Sequence, residues 1–243
     1  EIAKAIDGRA PVKLIWSRED DIRGGWYRPM SVHKVRAGVN ADGEIVGWSH
    51  RVATQSIIKG TPFQDFFVKD GVDESSIEGA SHPPYAIGAH RLELHTPTSP
   101  IPVLWWRSVG HTHTAYVMET MMDRLAAAAG VDPVAFRLRN ITAEHPREAA
   151  VLKLAAEKAG WGAATAPGVH RGVALHKSFG SYVAQIADVR RDEDGRMHVE
   201  RVVCAIDCGI AVMPDQVKAQ MEGSIGYGLG AVMRNKITLT DGL

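Results

Sequence analysis

The stretch from Cys204 to Gly230, CAIDCGIAVMPDQVKAQMEGSIGYGLG, constrains the fold more than any other part of the sequence. Its first residues are typical of a buried strand, and a glycine turn follows them. Pro214 then begins a helix, predicted to end at Met233, because proline is favoured at the first helical position. Glycine disfavours a helix by about 1 kcal/mol per residue relative to alanine. The later turns of this helix nevertheless carry four glycines, Gly223, Gly226, Gly228 and Gly230.

Two explanations fit so many glycines in one helix. The first is a large ligand that approaches the backbone closely, with Gln220 as its polar contact, since a neutral amide both donates and accepts hydrogen bonds. The second is tight packing of the helix against a sheet, with Gln220 present only by chance. The sequence leaves both open.

Residues 1–110 are predicted to form a β-rich segment that contains a long loop. Two of its strands form a hairpin across the turn sequence Asn40-Ala41-Asp42-Gly43. The charged stretch 18–29 is predicted as a loop. The segment Gly60–Pro84 lacks periodicity, and loops of that length usually are functional or pack against other protein. The predicted strands are Pro11–Ser17, Val32–Val39, Glu44–Ala53, Arg91–Thr96 and Val103–Arg107.

Residues 111–168 are predicted to be helical. Thr114–Ala129 carries an apolar stripe at helical spacing, which indicates a core-facing helix. Asp132 and Pro133 supply an N-cap and a first helical residue for the next helix. A third helix is predicted at Pro146–Ala159. The stripe consists of Val117, Met118, Met121, Met122 and Leu125.

Residues 169–243 are predicted to form a β-hairpin and the glycine-rich helix, and we expect this segment to be truncated. After the helix, a strand is predicted at Lys236–Thr240, followed by the hairpin signal Asp241-Gly242. The grouping of helices between β blocks favours an α+β fold, with mixed β-sheets around a central helical cluster. The strands of this segment are predicted at Arg171–Ser178, Tyr182–Arg190 and Met197–Ile206.

Composition excludes several classes of function. Lys plus Arg and Asp plus Glu both number 28, and no basic stripe is visible, so nucleic-acid binding is not expected. No apolar run reaches the ~18 residues that a membrane span needs. Cys204 and Cys208 would lie roughly 13 Å apart on a strand, too far for a disulfide, and are interpreted as small buried residues. The sequence opens within a helix and stops after a turn signal, which predicts an internal fragment of a longer protein.

The turn Arg107-Ser108-Val109-Gly110 is the first candidate site. It precedes a helix, and the free N–H groups at a helix start favour an anionic or oxo ligand. The alternative is an ordinary capped helix, with Arg107 paired to a surface carboxylate. His111 and His113 follow, but zinc sites need three or four ligands, and the spacing places no third one; no metal site is predicted.

The second candidate site is the stretch 20–29, which combines charges, glycines and aromatic residues. Loops on rigid scaffolds often carry binding groups, so Trp26 and Arg28 are interpreted as part of a wall that faces the substrate. The alternative is a solvated turn in which Arg28 pairs with an acidic residue.

Three stretches, in this order, carry a family resemblance: VKLIWSREDDIRGGWYRP, LWWRSVGHTHTAYVMETMMDRLAAAAGVDPVAFRLRN and IDCGIAVMPDQVKAQMEGSIGYGLGAV. Together they resemble the molybdopterin-binding large subunit of the xanthine dehydrogenase/aldehyde oxidase family, of the isoquinoline 1-oxidoreductase beta subunit type. The resemblance implies a molybdenum hydroxylase with molybdopterin cytosine dinucleotide. Such enzymes insert a water-derived oxygen into an N-heteroaromatic compound or an aldehyde, and pass electrons to a small [2Fe–2S] subunit. Related subunits are often periplasmic or membrane-associated.

The resemblance also implies roles for individual residues. Arg107, Ser108, Val109 and Gly110 match the turn beside the molybdenum, with Arg107 also near the substrate. Gln220, with Gly223 one turn later, matches the contact to the cofactor, and Arg28 matches an arginine near the substrate pocket.

The catalytic glutamate of the family lies in a GEPG-like loop, which this sequence lacks and which is expected beyond Leu243. We therefore expect the chain alone to be inactive. The alternative is a non-catalytic binding or scaffold module that uses Gly60–Pro84 for protein contacts.

Overall fold

A computed structural model describes residues 1–238 and Thr240, and its first sheet forms around the predicted hairpin. Strands β1 (Ser31–Val39) and β2 (Ile45–Thr54) are antiparallel. The side-chain oxygen of Asn40 accepts hydrogen bonds from the backbone N–H groups of Asp42 and Glu44, which fixes the turn between them. Strand β5 (His90–His95) pairs with β2 in parallel, so the strand order is β1-β2-β5.

The second sheet is an antiparallel meander of three strands. It consists of β6 (Val169–Ser178), β7 (Ser181–Arg191) and β8 (Met197–Asp207), in that order. Each strand lies within two residues of its predicted bounds. Asp192 and Gly195 make the turn between β7 and β8, in which Gly195 adopts a φ of 81°.

Three helices pack between and against the two sheets. Helix α4 (His111–Ala129) begins three residues before its predicted start, and α5 (Pro133–Asn140) follows the N-cap Asp132. Helix α6 (Pro146–Ala159) has its predicted bounds and packs against the second sheet. The core combines side chains from the helices and both sheets, which confirms the α+β class. Its members include Trp48, Met118, Met122, Leu125, Phe136, Leu152 and Ile186.

A buried ion pair joins α4, α5 and the second sheet. The Arg137 side chain is fully buried and donates hydrogen bonds to Glu119 Oε2 at 2.9 Å and to Asp123 Oδ1 at 2.7 Å. Glu119 also accepts from the hydroxyl of Tyr85 and from the backbone N–H of Leu175, at 2.7 Å each. Helix α5, strand β6 and the segment that holds Tyr85 therefore each donate a hydrogen bond to the carboxylate of Glu119 on α4.

Three predictions for residues 1–110 are wrong. Pro11–Ser17 forms no strand, since its side chains are exposed and no described residue pairs with it. The stretch predicted as a charged loop contains helix α2 (Arg18–Gly24), which begins with a capping box between Ser17 and Asp20. Val103–Arg107 makes only one bridge, from Val103 to Tyr27, because no neighbouring strand extends the pairing.

The remaining elements are short, apart from the glycine-rich helix. Segment 60–84 holds α3 (Gln64–Phe67), β3 (Val68–Lys69), β4 (Val72–Asp73) and a 3₁₀ turn at Glu74–Ser76. Helix α1 is Ile2–Ala5.

Helix α7 (Pro214–Met233) has its predicted bounds. The strand predicted after it is absent from residues 236–238; its Leu239 and the turn Asp241-Gly242 lie outside the described residues. Within the described part of the chain, no helix combines the length and apolar character needed to cross a membrane.

Candidate functional site

Residues 107–110 form a tight loop directly before α4, which we call the 107–110 loop. Ser108 and Val109 adopt positive φ angles of 67° and 42°. For a β-branched valine this conformation is strained, and strained backbone persists only where surrounding contacts hold it. One such contact is the backbone N–H of Val109, which donates to the carbonyl of Trp106 at 2.8 Å. A second is the pair of hydroxyls of Ser108 and Thr112, 2.7 Å apart.

Arg28 supplies most of the remaining contacts to this loop. Its Nη1 donates to Thr112 Oγ1 at 2.7 Å and to the carbonyl of Val109 at 3.3 Å. Its Nη2 donates to the carbonyl of Arg107 at 2.8 Å. No carboxylate among the described residues pairs with Arg28. The structure thus joins two stretches that the sequence singled out separately, and the guanidinium of Arg28 is directed at the loop backbone.

Helix α7 reaches the same loop through Tyr227. The Tyr227 hydroxyl lies 3.3 Å from Arg28 Nη2, and the guanidinium carbon of Arg107 lies 4.8 Å from the centre of the tyrosine ring. Gln220, Gly223 and Tyr227 are spaced three and four residues apart, so they share one face of the helix. At 1.5 Å per residue, Gln220 is roughly 10 Å along the axis from Tyr227. Gln220 and Gly223 are both exposed.

The glycines of α7 do not pack tightly within the described chain. A Cβ atom added at Gly223, Gly226 or Gly228 would meet no atom within 4 Å, and one at Gly230 would meet only the Asn235 amide at 3.9 Å. No residue of α7 is buried. Tight packing against a sheet therefore does not explain these glycines here, and the helix face beside the 107–110 loop is open.

The first amides of α4 are already engaged by a carboxylate. The N–H of Gly110 donates to Glu78 Oε1 at 2.9 Å, and the Glu78 pKa is raised by burial, against the opposing effect of the Gly110 and His111 N–H groups. A Cβ at Gly110 would lie 2.1 Å from the Ser75 carbonyl oxygen, so only glycine fits there. Segment 60–84 thus packs onto the candidate site. A contact from the Gly110 amide to an external oxo ligand stays a prediction.

The structure separates the two histidines that begin α4. His113 Nδ1 lies 2.9 Å from His33 Nε2, while His111 Nδ1 lies 2.8 Å from His176 Nε2. Burial is the main cause that lowers the pKa of His113 and of His176 to about 4. No group of three potential metal-binding side chains occurs among residues 1–238.

A small cavity lies beside the 107–110 loop. Its volume of about 20 Å³ holds one water molecule and is too small for a heterocycle. The indole N–H of Trp106 donates to the carbonyl of Trp26 at 3.0 Å, and the Trp26 side chain is 57% exposed. The predicted wall residues thus lie next to the loop. Residues that line the cavity include Arg28, Trp105, Trp106, Val109, Gly110 and His113.

Sequence reasoning missed Tyr227, Glu78 and the histidines of the first sheet. His33 and His50 occupy positions that alternate with exposed residues in β1 and β2, so the period-2 pattern of these strands is the signal that could have placed both on the inner face. Tyr227 carried a weaker signal, namely its place seven residues after Gln220. Glu78 carried none, because its contact joins segments far apart in the sequence.

Comparisons with known proteins agree on one family. The family model described as "Molybdopterin cofactor-binding domain" matches residues 2–141, and a second model with this description matches residues 113–243. The chain is 31% identical to isoquinoline 1-oxidoreductase subunit beta of Brevundimonas diminuta over 96% of its own length and 30% of that protein. It is 28% identical to "Membrane-bound aldehyde dehydrogenase [pyrroloquinoline-quinone]" of Gluconacetobacter polyoxogenes, over 99% of its length and 34% of the relative.

Among solved structures, quinoline 2-oxidoreductase from Pseudomonas putida 86 is similar in fold. The TM-score is 0.51 at 21% identity, over 76% of this chain and 28% of that chain. The chain thus spans about a third of the length of the curated relatives it matches.

Proposed function

Because this chain belongs to the molybdopterin-binding large subunits of the xanthine dehydrogenase/aldehyde oxidase family, we propose that it forms one wall of the cofactor site of a molybdenum hydroxylase. The observation that carries the proposal is the convergence of the 107–110 loop with the open face of α7. Tyr227 joins the two, through Arg28 and Arg107. The helix face from Tyr227 to Gln220 is roughly 10 Å long.

The residues present fit a molybdopterin. The side of α7 at Gly223 is open where a Cβ would otherwise project, which suits a flat, extended ligand. The exposed amide of Gln220 can donate to and accept from the polar edge of a pterin. Arg107 brings a positive charge next to Ser108, which favours the anionic groups of a dinucleotide. We propose the cytosine dinucleotide form; when bound, the molybdenum supplies the two-electron redox chemistry.

For the substrate we propose an N-heteroaromatic compound or an aldehyde, hydroxylated with oxygen from water. Names of relatives that include an isoquinoline oxidoreductase and an aldehyde dehydrogenase support these two classes. Exposed indole rings of Trp26, Trp105 and Trp106 offer apolar surface beside Arg107. Electrons would pass to a small [2Fe–2S] subunit. The contacts of Arg28 favour a role in positioning the loop over direct contact with substrate.

We further propose that tight binding of the cofactor and turnover both need the whole large subunit, and that these 243 residues alone provide neither. The sequence contains no GEPG-like glutamate to act as general base. Molybdenum bound stoichiometrically to the purified 243-residue chain would contradict this.

The experiment compares Gln220→Ala with Gln216→Ala. Both glutamines are exposed on α7, and Gln216 lies one turn farther from Tyr227. Each variant is made in the full-length large subunit, coexpressed with its small subunit, and molybdenum and released cytidine nucleotide are measured per mole of protein. Since a hydrogen bond between neutral groups contributes about 0.5–1.5 kcal/mol, we expect Gln220→Ala to weaken cofactor retention about two- to tenfold. Gln216→Ala is expected to retain it. Equal cofactor content in both variants and the parent would contradict the role of Gln220.

A second candidate function is a binding or scaffold module without catalysis. It is favoured by three exposed phenylalanines in segment 60–84, Phe63, Phe66 and Phe67. The same measurements separate the candidates, because a scaffold contains no molybdenum at all. If the chain is a scaffold, Phe66→Ser is expected to weaken the binding of its partner protein. Molybdenum in the purified subunit would contradict the scaffold function.

A further inference from the structure

Three histidines form a hydrogen-bonded row from the first sheet to the candidate site. His50 of β2 is fully buried, and its Nε2 lies 2.8 Å from His33 Nδ1. His33 Nε2 in turn lies 2.9 Å from His113 Nδ1 in the first turn of α4. Two ring nitrogens are left at the ends of the row, Nδ1 of His50 and Nε2 of His113.

The row can run in only two directions when all three rings are neutral, because each ring then carries one N–H. In the first, His50 donates to His33 and His33 donates to His113, so that His113 carries its proton on Nε2. In the second, both bonds are reversed and His50 carries its proton on Nδ1.

The buried end of the row decides between the two directions. His50 Nδ1 is buried and has no partner among the described atoms. In the second direction it would be a buried N–H without an acceptor, which proteins avoid more strictly than an acceptor without a donor. The first direction leaves only a lone pair unmatched, and it is therefore favoured. A proton on His113 Nε2 follows from it.

We propose that His113 is a fixed hydrogen-bond donor, which presents its Nε2–H to an oxygen atom in the cavity beside the 107–110 loop. His33 and His50 act as positioning residues that set its tautomer. His113 lines this cavity, and its volume of about 20 Å³ suits one oxygen. That oxygen belongs to water in the free chain, or to a ligand bound at the loop. The inference does not depend on the molybdenum cofactor, since every group in it belongs to this chain.

The surroundings keep the row neutral at ordinary pH. Burial is the main cause that lowers the pKa of His50 and of His113 to about 4, and the positive charge of Arg28 adds to the effect at His113. His90 acts on His50 in the same direction, as does His111 on His113. Burial lowers the pKa of His33 as well. Protonation of one ring, which would break the fixed direction, is thus disfavoured near neutral pH.

The test is nitrogen NMR of the histidine-labelled chain near neutral pH, with a crystal structure of the same chain. We expect His50 and His113 each to show a single tautomer, protonated on Nε2. His33→Phe is expected to remove this uniformity at His113, while His176→Phe, in the separate pair with His111, leaves it intact. A proton on His50 Nδ1, or mixed tautomers in the unmodified chain, would overturn the proposal.

The crystal structure tests the other half of the proposal. We expect an ordered water oxygen within hydrogen-bond distance of His113 Nε2. If Nε2 instead contacts a protein group, or faces an empty cavity, the proposal is wrong. A cofactor-loaded large subunit in which a ligand oxygen replaces this water identifies the ligand as the natural acceptor; a retained water identifies water.

Discussion

At the scale of single residues, Arg28 holds the 107–110 loop by hydrogen bonds that its neighbours in the sequence do not predict. A guanidinium carries five N–H donors in a fixed plane. Here that plane serves two carbonyls and one hydroxyl of the segment 107–112, together with Tyr227. Since Ser108 and Val109 are held at positive φ, the energy that maintains their strain comes in part from Arg28.

Arg28→Lys is therefore expected to loosen the 107–110 loop without unfolding the protein. Lysine keeps the charge but offers a compact ammonium that cannot reach four acceptors in one plane. We expect the amides of Val109 and Gly110 to exchange at least several-fold faster, as measured by hydrogen–deuterium exchange at neutral pH.

Arg51→Lys provides the matched control for this experiment. Arg51 pairs with Glu93 on the exposed face of the first sheet. Its hydrogen bonds go to Glu93 and not to the 107–110 loop. Its replacement is expected to leave exchange at Val109 and Gly110 unchanged. Unaltered exchange in Arg28→Lys as well would mean that Arg28 does not hold the loop.

At the scale of helices and strands, the sequence predicts an element correctly where residues of that element mark its beginning or its end. Helices α6 and α7 begin at prolines, and both have the predicted bounds. The hairpin β1–β2 was predicted because its turn and its alternation are local. Pro11–Ser17 failed, because a strand needs a partner that the sequence of one segment does not reveal. The capping box of Ser17 and Asp20 is a local signal for the start of α2, so this helix is predictable from its own sequence.

The candidate site likewise contains residues that local sequence features indicate and residues that only long-range contacts bring to it. The 107–110 loop and Gln220 were proposed from local features and a resemblance, and their roles at a cofactor stay predictions. The joining residue Tyr227 could not be deduced, because its contacts with Arg28 and Arg107 connect positions about half the chain apart or more. Likewise, Glu119 and Arg137 sit in amphipathic helices where charges usually face solvent, yet both are buried.

Arg137→Ala is expected to be more destabilising than Arg28→Lys, Arg51→Lys or Arg139→Ala. It leaves the carboxylate of Glu119 buried without its charged partner, a change that costs about 3–5 kcal/mol. Urea unfolding followed by circular dichroism measures the loss of unfolding free energy. Arg139→Ala is the control, since Arg139 lies on the same helix but is exposed, and its side chain makes one hydrogen bond to the described residues, with the Asp42 carbonyl. We expect a loss below about 1 kcal/mol there, and similar losses in both variants would contradict the importance of burial.

At the scale of the whole molecule, the packing of the two sheets and the helices shifts the pKa of several titratable groups. The pKa is lowered, mainly by burial, for six histidines: His33, His50, His90, His111, His113 and His176. The ordinary pKa of histidine is 6.5, and the lowered pKa is about 4 for three of these residues. At pH values between the ordinary and the lowered pKa, these histidines bind fewer protons in the folded protein than in the unfolded chain. Glu78 and Glu119 have raised pKa values and act in the opposite direction.

Stability rises with pH wherever the unfolded state binds more protons. The contribution of the histidines is thus complete above about pH 6.5 and is lost as the pH falls towards 4. We expect the melting temperature, followed by circular dichroism, to fall steadily over this range. His176→Gln removes one buried titrating ring, so its melting temperature should depend less steeply on pH, whereas His170→Gln, at an exposed position of the same strand, should follow the parent. If the parent's melting temperature is constant from about pH 6.5 to 4.5, the buried histidines are not neutral in the fold, and the fixed direction of the His50–His33–His113 row loses its premise.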